Sequence, residues 1–463
     1  MNVFADMRDL VLVAIARLVA EGALPEGLDL SAVMTEPPRD ALHGEMATNA
    51  AMVLARPARM RPREIAAALV AVLREDARVL AADVAGPGFV NMRLAPEVWQ
   101  AVPGAILSAD DFGRVAGEAP VCVEYVLAGK DAALHLGQAR GMVTADGIAT
   151  LLEWTGHAVR RVLRLRGDAV AQGLGLPFEA VKEVADQGFG WMPEGMLRDD
   201  AVLTLNAEDW NEEGWPLRRG DGRLTALGRD VLALRDRLGG SGTGGLGAGG
   251  RLVLVLDADR GGDVRPLMAV AEALGGQLDV RLVPPVTVPG GETSVAAMEE
   301  AVGPDLMRFH LMARRPDAVL DLDPARVTEQ ARANPAFEVS HAYARLASVL
   351  RDVQEEDATL AAQDLRGLND PAELALLRLL ADWPRQVAIA ARVMEPHRIA
   401  TYLVTLAGAV DRLWLRGQEN PGVRFIQDTP EETLPKIALA RATAVVISAG
   451  LGILRVTPLD ELR

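Results

Sequence analysis

The sequence predicts an α/β protein in which a doubly wound parallel sheet domain is flanked by a small N-terminal α/β domain and a C-terminal all-helical bundle. Two strand candidates carry the first part of this expectation. Val121 to Val126 is a short β-branched run, and Arg251 to Asp257 is almost continuously apolar, as a parallel strand covered on both faces must be. Each is followed by helical spacing, over Gly137–Trp154 and Val264–Leu274, which is the alternation of a doubly wound sheet. From about Pro304 onward the apolar positions recur at the helical period, over Glu329–Val353, Asp370–Met394, Pro396–Leu415 and Pro435–Leu454, so a helical bundle closes the chain.

The first hundred residues combine a helical stretch, Pro62–Leu73, with a terminal strand signal over Gly86–Leu94. The segment Pro103 to Pro120, rich in glycine, aspartate and proline, reads as a linker. Domains are therefore expected at 1–102, 119–302 and 303–463. Leu134-His-Leu-Gly137 stands where a strand hands over to a helix, a place suited to phosphates. The glycine-rich run Gly239–Gly250 lacks the lysine and hydroxyl that end a phosphate loop, so a flexible linker is expected there.

Composition excludes several classes. A net charge of -16 argues against a protein that coats nucleic acid nonspecifically, and DNA is not expected as a partner. Positive charge is almost all arginine, because lysine occurs only at Lys130, Lys182 and Lys436. Cys122 is the single cysteine, which excludes an internal disulfide and a CxxC zinc site, and no metal site is expected. The N-terminal stretch is apolar but broken by Asp6, Arg8, Asp9 and Arg17, and reads as an amphipathic helix, not a signal peptide. No membrane partner is expected, and the location is expected to be cytoplasmic.

Ordered motifs spread over the chain resemble the arginyl-tRNA synthetase family. In the C-terminal part these are Gly303-Pro-Asp-Leu-Met-Arg-Phe309, Asn334-Pro-Ala-Phe337, Ala342-Tyr-Ala-Arg345 and Glu395-Pro-His-Arg398; near the start they are Pro37-Pro-Arg-Asp40, Ala47-Thr-Asn49 and Gly86–Asn91. The resemblance implies a class I Rossmann-like catalytic domain, an N-terminal domain that meets the tRNA D-loop, and an anticodon-binding bundle. It further implies a monomer, with tRNA(Arg) as partner and ATP as substrate. Carried over by motif, Phe89 and Asn91 become base contacts, with Phe89 as core and Asn91 as a turn cap the competing reading. Tyr343, Arg345 and Arg398 become tRNA contacts on the bundle, with surface packing the competing reading for Arg398.

The catalytic motifs are present but altered. His135, Gly137 and Gln138 fall on the HIGH-type signature, whose histidines stabilise the phosphate charge as adenylate forms, and glutamine replaces the second histidine. His135 can equally be a helix-start histidine. The polar loop before it reads Leu127, Gly129 and Ala132. Arg260, Gly261 and Gly262 resemble the adenine loop, with arginine for histidine. Asp168 and Gln172 survive from the next motif, and Gln172 with Asp230 is expected to hold arginine, although Ala233 and Leu234 replace that motif's tyrosine and histidine. Between Val283 and Val302 no lysine of a KMSKS-type loop appears. From these departures the sequence predicts a shortened paralogue that binds tRNA with aminoacylation lost or strongly impaired. The alternatives are an active arginine-tRNA ligase with a rearranged ATP site, using Arg260 or Lys130, and a non-RNA interaction protein.

Overall fold

The computed structural model describes residues 1–38, 44–109, 111–114, 117, 119–128, 134–166, 176–182, 192, 196–198, 202–204, 214–239, 245–246, 250–291 and 294–461. The first domain opens with α1 (Val3–Ala20), capped by the Asn2 side chain, which accepts from the Ala5 amide. It continues through β1 (Thr35–Glu36), β2 (Met46–Thr48), α2 (Ala50–Ala58), α3 (Pro62–Leu73), β3 (Val79–Ala85) and β4 (Phe89–Leu94). The strands form an antiparallel sheet in the order β1-β2-β4-β3. Sequence patterning shows only one of these strands, because β1 and β2 are too short to display a period of two.

Two short helices follow, α4 (Pro96–Gln100) and α5 (Val102–Leu107), and the second takes up the start of the segment expected to be a linker. α5 lies so close to the bundle that a Cβ on Gly104 would stand 2.9 Å from the Ala361 carbonyl oxygen.

The central domain holds β5 (Val121–Ala128), α6 (Leu136–Trp154), β6 (Val159–Arg166), β7 (Glu179–Lys182), the small antiparallel strands β8 (Leu197–Arg198), β9 (Val202–Thr204) and β10 (Gly214–Pro216), α7 (Ala226–Leu238), β11 (Arg251–Asp257), α8 (Val264–Ala273) and β12 (Gln277–Val283). The five-stranded parallel sheet has the order β12-β11-β5-β6-β7. Alternation along the strands divides the core. Val121, Val123 and Tyr125 face α6, whereas Cys122 and Val126 face α7 and α8. The chain reverses direction across the sheet at β5 and β11, which places a crevice at their carboxyl ends.

Next come β13 (Val286–Thr287), α9 (Val295–Val302), α10 (Pro304–Met312), β14 (Leu320–Asp321), α11 (Pro324–Val327), α12 (Pro335–Asp352), α13 (Asp357–Ala361), α14 (Pro371–Val393), α15 (His397–Glu419) and α16 (Pro430–Leu454). β13 pairs with β14 in parallel, a tie that patterning does not reveal. α12 starts at Pro335 and not at Glu329: proline suits the first helical turn, and the Asn334 side chain accepts from the Ala336 amide. α14 begins with a capping box, Asp370 with Glu373. α16 is long and apolar enough to cross a membrane, but most of its apolar stretch is buried in the bundle. The cores of the N-terminal domain and the bundle are continuous.

Candidate active site

α6 follows β5, which ends at Ala128, so its first turn stands at the carboxyl edge of the sheet. His135 is the extended N-cap residue, and its amide donates to the Gln138 side-chain oxygen at 3.1 Å. Glutamine thus closes the helix start from within. The segment 284–294 packs onto this turn from both of its ends. The Arg140 guanidinium donates to the Pro284 carbonyl at 3.4 Å and to the Arg315 carbonyl at 3.0 Å. At the other end the Val295 amide donates to the Leu134 carbonyl at 3.0 Å, and His135 bridges Ser294. A Cβ on Gly137 would stand 3.8 Å from the Pro285 Cα, an ordinary packing distance, so this segment lies directly against the turn. Burial pulls the Arg140 guanidinium down to about 10.

A second cluster lies on the opposite face. Asp230, in the first turns of α7, is wholly buried and receives three guanidiniums: Arg164 at 2.6 Å and Arg166 at 2.7 Å on one oxygen, Arg260 at 2.6 Å on the other. Burial pushes its carboxyl up, but those guanidiniums outweigh burial and hold it below the usual range. Arg164 also pairs with Glu124 of β5 at 2.6 Å, and Glu124 takes Arg237 at 3.1 Å. Arg260, in the 3-10 turn after β11, is shared between Asp230 and Asp263. Gly262 beside it has no heavy atom within 4 Å of an added Cβ. Arg164, Arg166, Arg237 and Arg260 thus meet Glu124, Asp230 and Asp263 in one network, with Asp257 close enough to feel Arg166 and Arg260.

Sequence reasoning singled out Asp230 and Arg260 but missed Glu124, Arg164 and Arg166. A signal was present: an acid inside the apolar run of β5, and Arg164 and Arg166 two apart on one face of β6. Nor does motif reading show that Asp230 already holds guanidiniums of its own chain. Gln172, Asp168 and Lys130 lie outside the described residues. Among the described residues, no group of three or more His, Cys, Asp or Glu side chains is placed to hold a metal ion.

On the N-terminal domain, Phe89 is 38% exposed and Asn91 lies on the same strand. Both line a cleft of about 350 Å³ with Glu36, Asn49 and Gly86. On the bundle, Arg345 donates to Asp411 at 2.6 Å and stacks 5.1 Å above the Trp414 ring. Tyr343 is half-buried on α12, and Arg398 is exposed and paired with Glu395 at 2.6 Å. Structure therefore separates these residues into two surfaces, on domains at opposite ends of the chain.

Residues 5–94 match the family model "Arginyl tRNA synthetase N terminal domain", and residues 339–462 match the "DALR anticodon binding domain". Proteins named arginine–tRNA ligase from Ruegeria pomeroyi and Roseobacter denitrificans are 37% and 36% identical, each match spanning 100% of both chains. This chain belongs to the arginyl-tRNA synthetase family. Arginyl-tRNA synthetases of Thermus thermophilus and Plasmodium falciparum share its fold, with TM-scores of 0.73 and 0.72 over 98% and 100% of this chain, at 16% and 10% identity. Family membership brings the binding of tRNA and of ATP, and the bundle is the anticodon-binding domain.

The end-to-end match to arginine–tRNA ligases overturns the expectation of a shortened paralogue with a degenerate site and lost aminoacylation. The physical reason is visible in the cluster. The expectation rested on several departures together, the absent lysine among them, and gave less weight to Arg260, which shares Asp230 with Arg166 at the carboxyl edge of the sheet. A motif comparison made residue by residue does not show that Arg166 of the neighbouring strand lies there too.

Proposed function

We propose that the protein is an active arginine–tRNA ligase: the carboxylate of L-arginine attacks the α-phosphate of ATP to give arginyl adenylate and pyrophosphate, and a terminal hydroxyl of tRNA(Arg) then takes the arginyl group and releases AMP. The observation that carries this reading is the match over the whole of both chains at 36–37% identity to proteins named arginine–tRNA ligase. His135, at the amino end of α6, is assigned to the phosphates, where the orphan amides of a helix start favour an anion. Arg260, Gly261 and Gly262 form the other wall of the nucleotide site.

Of the three guanidiniums on Asp230, that of Arg260 is the most exposed, at 17% against 3% for Arg164 and 12% for Arg166. The guanidinium of substrate arginine replaces Arg260 on Asp230, and Arg260, still beside the adenine loop, turns to the phosphates. Gln172 completes the arginine site. Phe89 and Asn91 contact the D-loop of the tRNA, and Tyr343, Arg345 and Arg398 its anticodon arm, on a cytoplasmic monomer. Arginine-dependent exchange of pyrophosphate into ATP, measured with and without tRNA(Arg), is the test. Exchange that depends on arginine supports the reading, and none with both substrates and tRNA saturating overturns it.

A further inference from the structure

α6 belongs to two domains at once. Its first turn carries His135 and Gln138, while its middle and end are packed by the anticodon-binding bundle. A Cβ on Gly147 would stand 2.9 Å from the Met312 sulfur of α10 and 3.1 Å from the Pro396 ring at the start of α15. At the far end, Trp154 meets Trp383 of α14 edge to face, with ring centroids 6.5 Å apart.

Between these contacts lies Asp146, wholly buried, and its two oxygens look in different directions. Oδ1 accepts from Arg161 of β6 at 3.1 Å, which ties it to the sheet. Oδ2 accepts from Arg308 of α10 and stands 3.1 Å from Nε of Arg455, the left-handed residue that ends α16. Arg308 also donates to the Leu454 carbonyl at 2.8 Å, so α10 and the last turn of α16 reach α6 as one unit. A single carboxylate thus joins the sheet, the catalytic helix and two helices at the bundle's edge. Nothing in the reaction described above uses it, and a charge is costly to bury without a task.

We propose that Asp146 is a positioning residue for the ligase reaction: through Arg308 and Arg455 it transmits the seating of tRNA on the bundle to the first turn of α6. This rests on the ligase reading above. Asp146 lies eleven residues after His135, roughly 16 Å along a rigid helix, so a tilt or shift of α6 at the bundle moves His135 relative to the sheet. Packed helices change arrangement in discrete steps and not by continuous bending, and the ion pairs decide which arrangement holds. Arg455 sits at 38% side-chain exposure and is the arm that can be cut with least damage to the core.

The test compares the full-length protein with D146N, R455A and R455K, using a tRNA(Arg) transcript as the probe. Two readouts are taken: amide hydrogen exchange over residues 134–141, and kcat and KM in pyrophosphate exchange. In the unmodified protein the transcript is expected to change amide protection at the first turn of α6. R455A is expected to lose that change and to lower kcat about tenfold, the scale of a typical coupling between sites. Its affinity for the transcript and its KM for ATP and arginine stay near those of the unmodified protein, and R455K restores most of the loss. A merely structural role would lower the melting temperature and all these quantities together.

The proposal is overturned if R455A, folded and binding the transcript, keeps both the protection change and kcat, or if the unmodified protein binds the transcript without any change at 134–141. Where D146N fails to fold, R455A alone decides. A protein that shows the protection change and no pyrophosphate exchange defeats the ligase reading and leaves the coupling standing; one that binds no tRNA defeats both.

Discussion

Arg260 donates to Asp230 at 2.6 Å, across 30 residues of chain, and occupies the carboxylate oxygen left by Arg164 and Arg166. On the proposed ligase reading, the chain's own guanidinium and that of substrate arginine compete for this oxygen. R260A is expected to lower kcat on the order of a hundredfold, the scale of one lost electrostatic donor. It is also expected to lower the KM for arginine by about tenfold or more, since a hydrogen bond to a charged group contributes roughly 1.5–3 kcal/mol. Steady-state pyrophosphate exchange separates the two effects. A rise in arginine KM would show that Arg260 and the substrate do not share Asp230.

Removing the carboxylate itself has a different consequence. D230N leaves Arg164, buried to 3% exposure, with one acid in place of two. Breaking such a buried group is expected to cost about 3–5 kcal/mol, read from urea unfolding near neutral pH. Because the folded carboxyl is held below its ordinary value of 3.8, the stabilisation is fully present above about that pH. It is lost as pH falls through the depressed folded value. The stability gap between the unmodified protein and D230N should therefore narrow only below about pH 3.8. A gap that narrows between pH 7 and 5 would assign the pH dependence to another group.

The plan of a parallel sheet followed by a helical bundle was legible in the sequence because long elements advertise themselves. The apolar run Arg251–Asp257 and the periodicity of α14 and α15 survive any tertiary context. Short pairings such as β13 with β14 were not legible, since two residues have no period. For the site, motif order placed His135, Gly137 and Gln138 on one helix turn. The charge balance could not be read in the same way: it depends on which face of β6 carries Arg164 and Arg166, and on Glu124 beneath them. Judging the reaction by departures from the motifs left this arrangement out of account.

Gln138 stands in the first turn of α6 with its side-chain oxygen 3.1 Å from the His135 amide. Q138A removes that cap and is expected to cost about 1 kcal/mol of stability. Q138H, which restores the signature of the family, is expected to keep turnover within about threefold, because the proposed reading assigns the phosphates to His135 and Arg260. H135A should instead lower kcat by about a hundredfold or more. Equal losses in H135A and Q138A would assign the role to the cap and not to the imidazole.

Phe89 presents an exposed ring at the rim of a cleft that also holds Asn91, while its neighbours Val90 and Met92 point into the core. At 38% exposure the residue is within reach of a partner, and a binding measurement decides between the two readings. F89A should leave the melting temperature almost unchanged and weaken tRNA binding by about 1–3 kcal/mol, the range for one stacked base. Phosphate contacts are not involved, so the slope of log Kd against log salt should be the same in both proteins. Filter binding over a salt series measures slope and offset together. A parallel shift supports base stacking at Phe89; a loss of melting temperature with no shift in binding would return the residue to the core.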